Sequence, residues 1–124
     1  MDKKNNINSI DVFGLTALMR AVRDNNIIEV RNVLKKNPKI DFKHEEGYTA
    51  LMFAIMEENK EIIELLLMRN ADINIQDMYG QTALIRAVKE KNITMVKYLI
   101  GKNANLNLIE KKNGTICFTL SNLF

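Results

Sequence analysis

Gly14-Leu15-Thr16-Ala17-Leu18-Met19-Arg20-Ala21, Gly47-Tyr48-Thr49-Ala50-Leu51-Met52-Phe53-Ala54 and Gly80-Gln81-Thr82-Ala83-Leu84-Ile85-Arg86-Ala87 are three copies of one octapeptide, Gly-x-Thr-Ala-Leu-x-x-Ala. The glycines stand at 14, 47 and 80, a step of 33 residues each time. A fixed step in this range marks stacked supersecondary units, none of which can bury its apolar face alone. Such a stack offers a partner an extended surface and usually no pocket for chemistry.

Between successive glycines there is room for two short helices and a tight connection. Thr16, Thr49 and Thr82 each precede an apolar periodic stretch, where a hydroxyl can accept a backbone N–H and cap a helix. In the third unit Leu84, Ala87 and Val88 then recur at helical spacing. A second helix follows, as in Glu61-Ile62-Ile63-Glu64-Leu65-Leu66-Leu67-Met68. Asn26, Asn59 and Asn92 stand where it starts, and Glu29 three residues after Asn26 resembles a capping box. Asn37, Asn70 and Asn103 stand where it ends, a place that often needs left-handed backbone. Pro38 discourages continuation. Polar-alternating pieces such as Ala71-Asp72-Ile73-Asn74-Ile75 then lead to Gly47 or Gly80, which closes a hairpin-like finger.

The step of 33 residues, the octapeptide, the Ile-Ile-Glu-Leu-Leu-Leu second helix and the Asn-Ala-Asp-Ile-Asn close at 70–74 together resemble the ankyrin repeat, whose signature is T-P-L-H-x-A. The resemblance covers roughly residues 9–115. Three departures stand out. The family's proline is Ala17, Ala50 and Ala83; its histidine is Met19, Met52 and Ile85, which exchanges a polar link for apolar packing. Its glycine between the helices is Asn25, Glu58 and Lys91, so Glu58 and Lys91 are strained if the left-handed conformation persists there.

The expected fold is all-α: an ankyrin-like helix-turn-helix solenoid with short β-hairpin fingers. Its parts are a polar tail at 1–8 and one domain at 9–124, with units at about 9–41, 42–74 and 75–107 and a half-unit at 108–124. Glu29 and Asn32 replace the apolar pairs Ile62/Leu65 and Met95/Tyr98, giving the first unit the wetter outer face of an N-terminal cap. Two readings of the C-terminus stay open. It is a lid that lays Ile116, Phe118 and Leu120 over the third unit, or the cut end of a longer array.

Composition excludes several function classes. The chain of 124 residues is 47% hydrophobic and 27% charged, with a formal charge of +3. With one cysteine, Cys117, no internal disulfide forms, and with one histidine, His44, the usual zinc ligand sets cannot be assembled. His44 falls on a finger and is expected to face solvent; Cys117 is expected in the core. Glu45-Glu46 and Glu57-Glu58 lack apolar walls that could raise a carboxyl pKa, so they read as surface charge. No apolar h-region follows the N-terminus and no apolar run is long enough to span a membrane. Neither an enzyme nor a cofactor is expected. The expected location is the cytoplasm, or that of an effector delivered without a Sec signal peptide.

The resemblance implies a partner face along the finger tips and the exposed side of the first helices. Carried over position by position, it comprises Val12, Phe13 and Leu15; Glu45, Glu46 and Tyr48; Met78, Tyr79 and Gln81; with Arg23, Asp24, Met56, Glu57, Lys89 and Glu90 on the helices. Aromatic, methionine and arginine enrichment marks protein interfaces. The implied role is non-catalytic recognition of a protein by a monomer, as adaptor, inhibitor or effector. The rival is a weak binder of nucleic acid or another anionic surface through lysine clusters. Lys35, Lys36 and Lys102 lie at the ends of second helices, away from the fingers, which argues against one basic groove.

Overall fold

The computed structural model describes residues 6–105. The expected half-unit at 108–124, with Cys117, lies outside them. Among the described residues the order is α1 (Ala17–Arg23), α2 (Ile27–Leu34), α3 (Ala50–Met56), α4 (Lys60–Met68), α5 (Ala83–Lys89) and α6 (Ile93–Gly101). The chain divides after Asp72 into two compact units. In the first, α1 packs on α2 and α3, and α4 packs on α2 and α3; in the second, α5 packs on α6.

The helices begin where the sequence places them. Thr16, Thr49 and Thr82 Oγ1 accept from the backbone N–H three residues on, at 3.2, 3.3 and 3.2 Å. The second helices begin on Asn26, Asn59 and Asn92, whose Oδ1 atoms accept in the same register at 3.1 Å each.

Those asparagines have a second task. Asn26 N–H donates to Ala21 O, Asn59 N–H to Ala54 O and Asn92 N–H to Ala87 O. Together with Asn25, Glu58 and Lys91 donating to Val22, Ile55 and Val88, this is a Schellman closure of each first helix. One asparagine thus ends a helix with its backbone and starts the next with its side chain. The capping-box resemblance at Asn26/Glu29 is only half realised, because the Asn26 N–H that Glu29 would take is already bonded to Ala21.

The closure requires a left-handed residue, and Asn25, Glu58 and Lys91 have φ of 52°, 56° and 57°. Asn37, Asn70 and Asn103, at 52°, 65° and 66°, do the same after the second helices. There Ala71 and Ala104 donate the closing bond to Leu66 O and Leu99 O. Pro38, in the matching place of the first repeat, has no N–H to give.

Met19, Met52 and Ile85 are buried, as expected of apolar residues in a polar residue's place. The core of the first unit also holds Leu18, Val22, Val30, Leu51, Ile62, Ile63 and Leu66; that of the second holds Leu84 and Leu99. On α2, Glu29 and Asn32 are exposed.

No strand forms among the described residues, so the expected β-hairpin reduces to one rung per finger. Asp11, His44 and Asp77 each donate N–H to the carbonyl four residues on, and each carbonyl accepts from the glycine three residues on. With Gly14, Gly47 and Gly80 at φ of 77°, 85° and 79°, this is a three-residue loop closed by a G1 bulge. Alternation survives in burial alone: Ala71 and Ile73 face inward while Asp72 and Asn74 face out.

A further register had no counterpart in the sequence expectations. Asn8 Oδ1 accepts from Lys39 N–H at 2.7 Å, Asp41 Oδ1 from Asp72 N–H at 2.9 Å, and Asn74 Oδ1 from Asn105 N–H at 2.7 Å. Each side chain stands three residues before the finger turn and satisfies a backbone group 31 residues later.

Candidate functional site

The fingers owe their rigidity to the side chain that opens each turn. Asp11 Oδ1 accepts from Phe13 N–H at 2.8 Å and Leu15 N–H at 3.0 Å. Asp77 Oδ1 repeats the pattern with Tyr79 and Gln81 at 2.8 and 3.0 Å. The Leu15 N–H bond above all, helped by the Phe13 N–H and Arg20, holds the Asp11 carboxyl below its ordinary value, against an opposing desolvation second in size only to the Leu15 bond.

Nine residues after each turn residue stands its partner on the first helix. Arg20 Nη1 lies 3.1 Å from Asp11 Oδ2, and Arg86 Nη1 lies 3.9 Å from Asp77 Oδ2. Between these two ionic copies the second repeat substitutes an aromatic one, His44 with Phe53. Their ring centroids are 5.4 Å apart, edge to face. His44 also stacks on Tyr48 at 5.2 Å, and its Nδ1 accepts from Tyr48 N–H at 3.1 Å. An accepting Nδ1 carries no proton, so the neutral ring holds its hydrogen on Nε2. The His44 side chain is 9% exposed, which overturns its expected place in solvent. The imidazole takes over the acceptor role that aspartate plays in the other fingers, and Phe53 and Tyr48 shield it from water.

The expected partner residues separate accordingly. Val12 and Phe13 are 93% and 72% exposed, and Met78 and Tyr79 are 59% and 45% exposed. Glu45, Glu46, Arg23, Met56 and Lys89 are exposed as well. Tyr48 and Gln81 are half-buried. Leu15 is buried, a correction: its backbone closes the turn on Asp11 and its side chain joins the core. Arg23 is held in place, its guanidinium carbon 5.5 Å from the centre of the Phe53 ring.

In the first unit the apolar finger (Val12, Phe13) and the acidic finger (Glu45, Glu46) are neighbours, since a Cβ on Gly14 would lie 3.6 Å from Glu45 Oε1. The second unit carries Met78, Tyr79, Gln81 and Lys89. Sequence reasoning missed the turn-to-helix couple. Its signal was visible in register, as Asp11/Arg20, His44/Phe53 and Asp77/Arg86.

Among the described residues no three His, Cys, Asp or Glu side chains gather as a metal site would require. Nor is any helix there long and apolar enough to cross a membrane. A family model described as Ankyrin repeats (3 copies) matches residues 1–77, and one described as Ankyrin repeat matches residues 79–111. No curated protein matches the chain.

Proposed function

The chain belongs to the ankyrin-repeat family, whose repeats are protein–protein interaction modules and typically non-catalytic, and we propose that it recognises a protein through its finger tips and first-helix face without catalysing a reaction. The observation that carries this is the repeated exposure of two large apolar side chains on a braced turn. Val12 and Phe13 stand out from one finger, Met78 and Tyr79 from another, each loop fixed by an aspartate that bonds two of its N–H groups. Apolar side chains kept in water on rigid backbone lose little conformational freedom when a partner covers them. Adaptor, inhibitor and effector roles all draw on such a face.

Affinity capture from lysate tests the proposal. Phe13→Ser and Tyr79→Ser are expected to weaken retention of a specific partner by about five- to thirtyfold each, as loss of aromatic anchors does. Their helical circular dichroism is expected to stay unchanged, because neither side chain belongs to the core. Lys36→Glu and Lys39→Glu, which follow the C-terminal end of α2 and are not among the finger-tip or first-helix residues, are expected to leave retention unaltered. If the lysine reversals abolished binding while both aromatic variants bound normally, an electrostatic partner such as nucleic acid would replace the protein. Binding would then fall steeply with salt.

A further inference from the structure

We propose that the groove between α2 and α4 is a second docking site, which accepts an acidic stretch of a partner protein and anchors it by one apolar side chain. The groove has a volume of about 260 Å³ and is lined by Arg31, Leu34, Lys35, Leu65, Met68 and Arg69. It lies on the second helices, and the finger face described above contributes no residue to it.

The floor is apolar beyond what the fold needs. Helix α4 meets the core through Ile62, Ile63 and Leu66, all fully buried. Leu65 and Met68, spaced i and i+3 on the same helix, form a separate stripe. Met68 is 76% exposed, yet the matching positions of the other repeats are Lys35 and Gly101. Nothing in the repeat requires an apolar side chain there.

The rim is cationic. Arg31 Nη2 lies 3.1 Å from Glu61 Oε2, the one carboxylate paired to this rim among the described residues. Arg69 Nη1 donates to Leu34 O at 2.8 Å, and its remaining N–H groups are not committed by that bond. The Lys35 ammonium has no carboxylate within ion-pair distance among the described residues. Three cations and one carboxylate around an apolar floor call for carboxylates from the occupant. The volume lies below the roughly 300–1,000 Å³ of pockets that enclose a whole small molecule, and suits one side chain. Nucleic acid would bring negative charge but no aliphatic anchor, and its binding would be indifferent to Met68.

The test is a titration of the isotopically labelled full chain, followed by amide chemical shifts. The probe is a hexapeptide with a Leu-Phe pair flanked by two glutamates on each side. Saturable shifts are expected at Arg31, Lys35, Met68 and Arg69, with affinity falling as salt rises. Met68→Asn and Lys35→Glu, both on exposed positions that leave the core untouched, are each expected to weaken binding about tenfold. The same peptide with lysines for glutamates is expected to give no shifts. Any of four results would overturn the site: no shifts at millimolar peptide, equal binding of the lysine peptide, shifts confined to residues 12–48, or affinity indifferent to Met68→Asn. An oligothymidylate that bound as tightly as the acidic peptide, whatever stood at Met68, would make the groove a plain electrostatic surface.

Discussion

Lys91 holds a backbone conformation that glycine adopts without steric cost, at φ of 57°. A left-handed L-residue costs about 1–2 kcal/mol, whereas glycine's entropic penalty is about 0.5–1 kcal/mol. Lys91→Gly is therefore expected to stabilise the protein by up to about 1.5 kcal/mol, and at worst to leave it unchanged. Urea titration checks it, and a clear loss would mean that the Lys91 side chain contributes more than its backbone costs. This strain was legible in the sequence, because the asparagines at 25, 37, 70 and 103 mark the positions where non-glycine residues turn left-handed most easily. His44 was not legible in the same way. Its place on a finger points to solvent, and only the exchange of arginine for Phe53, nine residues on, brings an apolar wall against it. Leu15 was misplaced for a related reason: a tip position inherited from the resemblance says nothing about which side of a tight turn the side chain leaves.

At the scale of the element, the finger is a loop whose stability rests on one acceptor. Asp11 has its folded-state carboxyl acidified, so its contribution is present above the unfolded value of 3.8 and is lost as pH falls through the lower folded value. Asp11→Asn keeps an oxygen for the Phe13 and Leu15 N–H groups and discards the charge that faces Arg20. The wild type is expected to exceed this variant in urea midpoint near neutral pH, and the gap to close as pH drops below about 4. A gap that did not vary with pH would show that the carboxylate acts only as a hydrogen-bond acceptor. Helix positions were readable because each signal is local: a threonine or asparagine followed at once by apolar residues at helical spacing. The expected hairpin is shortened to one rung per finger because alternating polarity reports burial, not strand pairing. Inward Ala71 and Ile73 satisfy the alternation while the backbone bonds to Asx side chains 31 residues away instead of to a neighbouring strand. No local pattern announces a bond of that reach.

For the whole molecule, the repetition was the strongest signal in the chain, since three copies in phase state the same fold three times. Its core is correspondingly distributed. Leu51 in the first unit and Leu84 in the second are buried at matching positions, and Leu→Ala at either is expected to cost about 2–5 kcal/mol. That is a large share of the roughly 5–15 kcal/mol that holds a domain together, so chemical denaturation should show a pronounced drop for each. An unchanged midpoint for Leu84→Ala would mean that its site collapses around the smaller side chain. The copies are nevertheless not interchangeable parts. The couple is ionic in the first and third repeats and aromatic in the second, so a chimera joined between residues 44 and 53 would face a carboxylate with a phenyl ring, or an imidazole with a guanidinium. His44→Asp and Phe53→Arg are each expected to lower the melting temperature, and the double variant to recover part of the loss through a coupling of about 0.5–3 kcal/mol. Simple additivity in that cycle would show the two positions to be independent. Crossovers between repeats of this chain are thus confined to breakpoints outside that span: duplicating a whole unit carries the couple intact, and duplicating a fragment that ends within it divorces the pair.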